Sequence, residues 1–173
     1  MAVTTEILRS YRDPRGVMRR QLAGGMREDR ALVYLMAALF VIFVAQWPRL
    51  AREAHLAPDV PLEARLGGAM LGILFAGPLF FYALAGVSHL AARALGGRGS
   101  FYGARLALFW SLLAVAPLFL LHGLVAGLVG PGAALALVGY GVLAVFLAIW
   151  FLSLATAERP PVVAAPVPPA AAP

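Results

Sequence analysis

Three long apolar runs, each closed at both ends by a charged residue, divide the chain. Arg30 and Arg49 enclose 18 uncharged positions, Arg65 and Arg93 enclose 27, and Arg105 and Glu158 enclose 52. A helix needs about 20 residues to cross a hydrocarbon core roughly 30 Å thick, so the first two runs are single spans. The third is long enough for two, and Gly130-Pro131-Gly132 interrupts it with a triplet that cannot easily continue a helix. The pattern predicts spans at 31–47, 66–92, 106–129 and 133–155. The expected fold is an all-α membrane protein with four transmembrane helices and an N-terminal amphipathic, interfacial helical segment.

That segment, residues 1–30, has its own pattern. Asp13-Pro14 reads as a helix N-cap followed by a proline at the first helical position. Val17, Met18 and Leu22 then share one face, Arg15, Arg19 and Arg20 lie toward the other, and Gly24-Gly25 ends the helix. Ile7, Leu8 and Tyr11 form a similar face upstream. Such helices are expected to lie on the membrane surface with the apolar face at the acyl boundary. After the bundle, 31–157, the tail 158–173 is nearly all Pro, Ala and Val, a composition expected to be disordered.

Composition strengthens the membrane reading. The chain is 62% hydrophobic and 13% charged, whereas a soluble domain has roughly 45–50% apolar and about 25% charged residues. The net charge of +6 therefore reads as topology and lipid attraction, not as nucleic-acid binding. Every basic residue is arginine and lysine is absent, which fits a GC-rich bacterial genome. Without cysteine there is no disulfide, thiolate metal site or S-palmitoylation. The Arg-rich start contains no apolar stretch ending in a cleavage site, so no removable signal peptide is expected.

Arginine also sets orientation. Residues 1–30 hold seven, the loop 93–105 holds Arg93, Arg98 and Arg105, and the tail holds Arg159. The other side has Arg49, Arg52 and Arg65, offset by Glu53, Asp59 and Glu63. Eleven against three predicts both termini on the cytoplasmic side of a bacterial inner membrane. Trp47 and Trp150 near span ends fit the interfacial preference of tryptophan. Anionic lipids are the expected partners, bound by Arg15, Arg19, Arg20, Arg93, Arg98 and Arg105, with a membrane-protein partner or a second copy of the chain as further candidates.

Candidate chemistry is sparse. No Asp, Glu or Arg falls inside a span, whereas proton-coupled carriers and intramembrane metalloenzymes place ionisable groups at depth. His89 is four residues from Arg93, about 6 Å along a helix, and His122 is seventeen from Arg105, about 25 Å, so the two do not share a depth at which to hold a haem or metal. Ser88 and His89, as neighbours on a helix, point about 100° apart and make a poor nucleophile–base pair. His55 has no histidine or cysteine neighbour and reads as a surface residue. No catalytic residue, cofactor or metal is expected. Pro78 and Pro117 near mid-span suit either ordinary membrane helices or the broken helices of a small transporter. Gly68-x-x-x-Gly72 and Gly123-x-x-x-Gly127 permit close helix approach.

At residues 9–15, Arg-Ser-Tyr-Arg-Asp-Pro-Arg, the chain resembles a bacterial member of the YIP family, the Ypt- or Rab-interacting polytopic membrane proteins. Gly-Gly-Arg-Gly-Ser-Phe at 96–101 and the proline of Ala116-Pro117-Leu118 resemble family patterns too, so the resemblance runs from about 9 to 155. It implies a polytopic membrane protein without catalytic residues. Family members typically have five spans, one more than this pattern supports. Eukaryotic members act in vesicle traffic and membrane shaping with small GTPases. The function expected is a non-enzymatic one in membrane organisation, with a small transporter or channel subunit, or an accessory subunit of a larger complex, as alternatives.

Overall fold

The computed structural model describes residues 3–159. Its helices are α1 (Val3–Ser10), α2 (Pro14–Ala23), α3 (Glu28–Leu56), α4 (Leu62–Met70), α5 (Gly77–Ala94), α6 (Phe101–Leu128) and α7 (Ala133–Ala157), with a π-helical stretch, Leu71–Ala76, joining α4 to α5. Among the described residues four helical units are long and apolar enough to cross a membrane: α3, the continuous α4–π–α5 unit, α6 and α7. The disorder expected for 160–173 lies outside the described residues.

Helix α6 is the spine of the bundle. It packs against α3, α7, α5 and α1, and its residues Leu106–Ala116 are buried without interruption. Trp110 and Phe109 are the largest fully enclosed side chains. Tyr34 of α3 meets Trp110 edge-on at 4.9 Å, and Tyr82 of α5 meets Phe109 at 5.0 Å, edge-to-face geometries that aromatic quadrupoles favour. Helix α7 is more apolar still but mostly faces outward. In lipid an exposed leucine is no less comfortable than a buried one, so hydropathy alone does not separate the two roles.

The helices overrun the apolar runs. Helix α3 continues through Pro48, Arg49 and Arg52 to Leu56, because charges at a membrane surface do not end a helix, and Arg49 pairs with Glu53 one turn on at 2.8 Å. The second glycine pair serves packing as expected: a side chain at Gly123 would collide with the Ala45 carbonyl, and one at Gly127 with Pro48. Gly68 and Gly72 instead have open space beside them. At the α6–α7 turn Gly130 takes φ +85°, a left-handed value that favours glycine, with the Arg52 guanidinium directly against it.

Pro78 changes its helix more than Pro117 does. It sits in the first turn of α5, directly after the π stretch, where the Gly77 amide donates to the Gly72 carbonyl five residues back. A proline ring crowds the carbonyl four residues before it, and the wider turn relieves that clash. Pro117 lies within an unbroken α6. Beside the π stretch is a cavity of about 360 Å3 between α3, α5 and α6, lined by Leu39, Ile42, Ile73, Phe81, Leu112 and Phe119.

Candidate functional site at the arginine-rich end

Four elements meet at one end of the bundle: the α1–α2 hairpin, the start of α3, the α5–α6 loop and the end of α7. The hairpin is fixed by local chemistry first. Asp13 Oδ1 accepts from the Gly16 amide at 2.8 Å, capping α2, and Pro14 occupies its first turn, as the sequence predicts. Glu6 clamps the two helices together, accepting from Arg20 and from Arg9, each at 2.9 Å. The Arg20 hydrogen bond, with help from Arg9, holds the Glu6 carboxyl below the usual carboxylate range despite its burial.

The hairpin then docks on the spine. The Trp110 indole N–H donates to Ser10 Oγ at 2.9 Å. The Tyr11 hydroxyl donates to the Ala114 carbonyl at 2.7 Å, and burial pushes its phenol pKa up. Ala114 is thirteen residues into α6, roughly 20 Å along the helix from Phe101. The turn of the hairpin thus reaches down alongside the apolar part of α6.

This overturns the expected use of the amphipathic face. Val17 and Met18 have no exposed surface, and Leu22 is half-buried against the same core. Helix α2 spends this face on the bundle, packing on α7, and leaves little of it for the acyl boundary. Trp150 is corrected likewise: it is buried and stacked on Phe146 at 5.6 Å, while Trp47 is exposed as an interfacial residue should be.

The six arginines expected to bind lipid divide into two groups. Arg15 and Arg19 on α2, and Arg93 and Arg98 beside the α5–α6 loop, are exposed and have no carboxylate within ion-pair distance among the described residues. Arg20 is held by Glu6. Arg105 pairs with Glu28 at the start of α3, and its guanidinium lies 5.9 Å from the Tyr82 ring centroid. Arg20 and Arg105 therefore join elements of the fold.

Sequence reasoning missed the centre of this end. Glu158 bounds the last apolar run and stands one residue beyond α7. It folds inward: its Oε1 lies 2.6 Å from His89 Nδ1, and its Oε2 accepts from the Gly99 amide at 3.0 Å. Its carbonyl accepts from the Arg98 amide at 2.8 Å. Both His89 and Glu158 are buried, and Phe101 closes over the imidazole at 4.3 Å between centroids. One carboxylate thus ties the end of α7 to α5 and to the glycine-rich loop. It supplies the orienting partner for His89 that the spans themselves lack. Ser88 turns away, donating to the Ala85 carbonyl at 2.8 Å. His122 sits against Gly139, 21 residues along α6 from the Phe101 that covers His89, about 31 Å away along the axis.

The fold and this end define a multi-pass helical membrane protein whose polar chemistry collects at one end. The family model of the Yip1 domain matches residues 8–167, and the chain belongs to that family. The match starts at the end of α1 and takes in α2 and the whole bundle. Neither the comparison with curated proteins nor that with solved structures yields a match.

Proposed function

We propose that this protein is a non-enzymatic component of a bacterial inner membrane that gathers anionic lipid at its arginine-rich end and associates with other membrane proteins there. The observation that carries this reading is the set Arg15, Arg19, Arg93 and Arg98: four exposed guanidinium groups, on α2, on α5 and in the α5–α6 loop, with no carboxylate within ion-pair distance among the described residues. Each basic residue near an anionic surface contributes on the order of 1 kcal/mol, screened over a Debye length. The non-enzymatic reading is supported by the surroundings of His89: Phe101 covers the imidazole, and the neighbouring Ser88 hydroxyl donates to the Ala85 carbonyl and so does not pair with it.

Native mass spectrometry of the full chain released from mixed bilayers tests the lipid reading. The wild type should retain phosphatidylglycerol over phosphatidylcholine. Changing Arg15, Arg19, Arg93 and Arg98 together to Gln should reduce that preference about ten-fold, less at high salt. Equal retention of the two lipids by the wild type, or an unchanged preference in the variant, refutes it.

Orientation rests on the arginine bias, eleven against three. A cysteine at Ser100 should resist an impermeant thiol reagent in intact cells while one at Ala57 reacts. The reverse pattern would place the arginine-rich end outside. A transport role finds its support in the π stretch at Pro78 and the cavity beside it, but that cavity's apolar lining offers no partner to a polar or charged solute.

A further inference from the structure

The cavity next to the π stretch is a built feature. Counting along α3 and α6 from the arginine-rich end, Leu39 and Leu112 lie eleven residues in, about 16 Å, and Phe119 eighteen, about 27 Å. The cavity therefore sits at the depth of acyl chains. Three devices hold it open. The π stretch widens the second span where Pro78 demands it. Gly77 lets α5 close on α3, since a side chain there would meet Leu39 at 3.3 Å, and this anchors the C-terminal edge. Gly72 contributes no side chain, and a Cβ there would meet nothing within 4 Å.

The lining carries no charged or hydrogen-bonding side chain. Water enters a cavity only where it finds polar partners, so water is not the natural filling. The volume, about 360 Å3, falls at the small end of the roughly 300–1,000 Å3 range of ligand sites. Phe80 at the cavity is exposed, as are Leu71, Phe75 and Leu79 nearby, so the cavity is continuous with the surface the second span turns to the hydrocarbon. Of the four spanning units among the described residues, that span is the least covered by protein.

We propose that the cavity seats one acyl chain of a bilayer phospholipid, which acts as a packing element between the second span and the α3–α6 pair. The site recognises hydrocarbon, not a headgroup, and it is independent of the arginines at the bundle's end. Its shape comes from Pro78, Gly72, Ala76 and Gly77, so small substitutions within the second span control occupancy.

Photo-crosslinking tests this on the full chain in nanodiscs, with a phosphatidylcholine carrying a diazirine midway along one acyl chain. Adducts mapped by mass spectrometry should concentrate on Ile42, Ile73 and Phe119, exceeding those on Leu137 and Leu143, which face lipid on α7. Gly72→Leu should lower the adducts at Ile42 and Phe119 about five-fold, because the new side chain occupies the volume, and leave those on α7 unchanged. Ala76→Leu is the parallel variant should Gly72→Leu fail to fold. Equal adduct density on the two surfaces overturns the proposal, as do adducts that survive both substitutions. The chain has no cysteine of its own, so disulfide formation between two copies of a Phe75→Cys variant on mild oxidation, in place of lipid adducts, overturns it in favour of a second chain as occupant.

Discussion

Gly123→Leu is expected to push α3 off α6 and to cost the bundle on the order of 3 kcal/mol or more, the upper range for overpacking a tight contact. The physical ground is that the obstacle is backbone: a side chain at Gly123 would overlap the Ala45 carbonyl, which cannot move without shifting α3 itself. Gly127→Leu meets Pro48 in the same way. Gly68→Leu is the internal control, since open space surrounds that glycine and its substitution should leave stability nearly unchanged. Thermal unfolding in detergent, followed by loss of the monodisperse peak, should show a midpoint about 10 °C lower for Gly123→Leu. Equal midpoints for Gly123→Leu and Gly68→Leu would mean that the α3–α6 contact does not govern stability.

The second large effect is expected at Glu158. Glu158→Ala leaves the His89 Nδ1 buried beside Phe101 without its acceptor and removes the acceptor of the Gly99 amide. Breaking one partner out of a buried pair costs about 3 kcal/mol, and here one of the two ties between the end of α7 and the α5–α6 loop is lost at the same time, the main-chain bond from the Arg98 amide remaining. Glu158→Gln keeps one carbonyl oxygen as acceptor and should lose about half as much. His89→Ala made on top of Glu158→Ala should add little, because the two act as a unit. Additive losses, measured by the same unfolding assay, would mean that the residues contribute separately and that the 2.6 Å contact is incidental.

What was legible in the sequence was whatever depends on one stretch of chain at a time. Charges closing the apolar runs located all four spans, and Gly130-Pro131-Gly132 located the turn between the last two. Asp13-Pro14 gave the start of α2 because a cap is a contact within three residues. The misreadings share the opposite character. Glu158 reaches His89 across 69 positions, and in sequence it looks like any charge that ends a span. The stripe of Val17, Met18 and Leu22 states that α2 has an apolar face, but membrane and protein satisfy that face equally well, so its burial on α7 was hidden. The division of the arginines into bound and free depends on Glu6 and Glu28, one lying 14 residues from its partner and the other 77. Pro78 and Pro117 look alike in sequence, and only the first is preceded by a π stretch.

The central place of α6 bears on how the protein is made. Synthesis delivers α3 and the α4–π–α5 unit before the helix that each of them packs on, and the hairpin's docking residues Trp110 and Ala114 come later still than the hairpin itself. Until the third span emerges, the amino-terminal arm lacks its dock: Ser10 is without the Trp110 donor and Tyr11 without the Ala114 acceptor. Arrival of α6 supplies the partners of α3, α5 and α1, and α7 with Glu158 then covers α2 and closes the structure last. The order of synthesis thus leaves most of the packing of α3, and the docking of the hairpin, impossible until residues 101–128 have entered the bilayer.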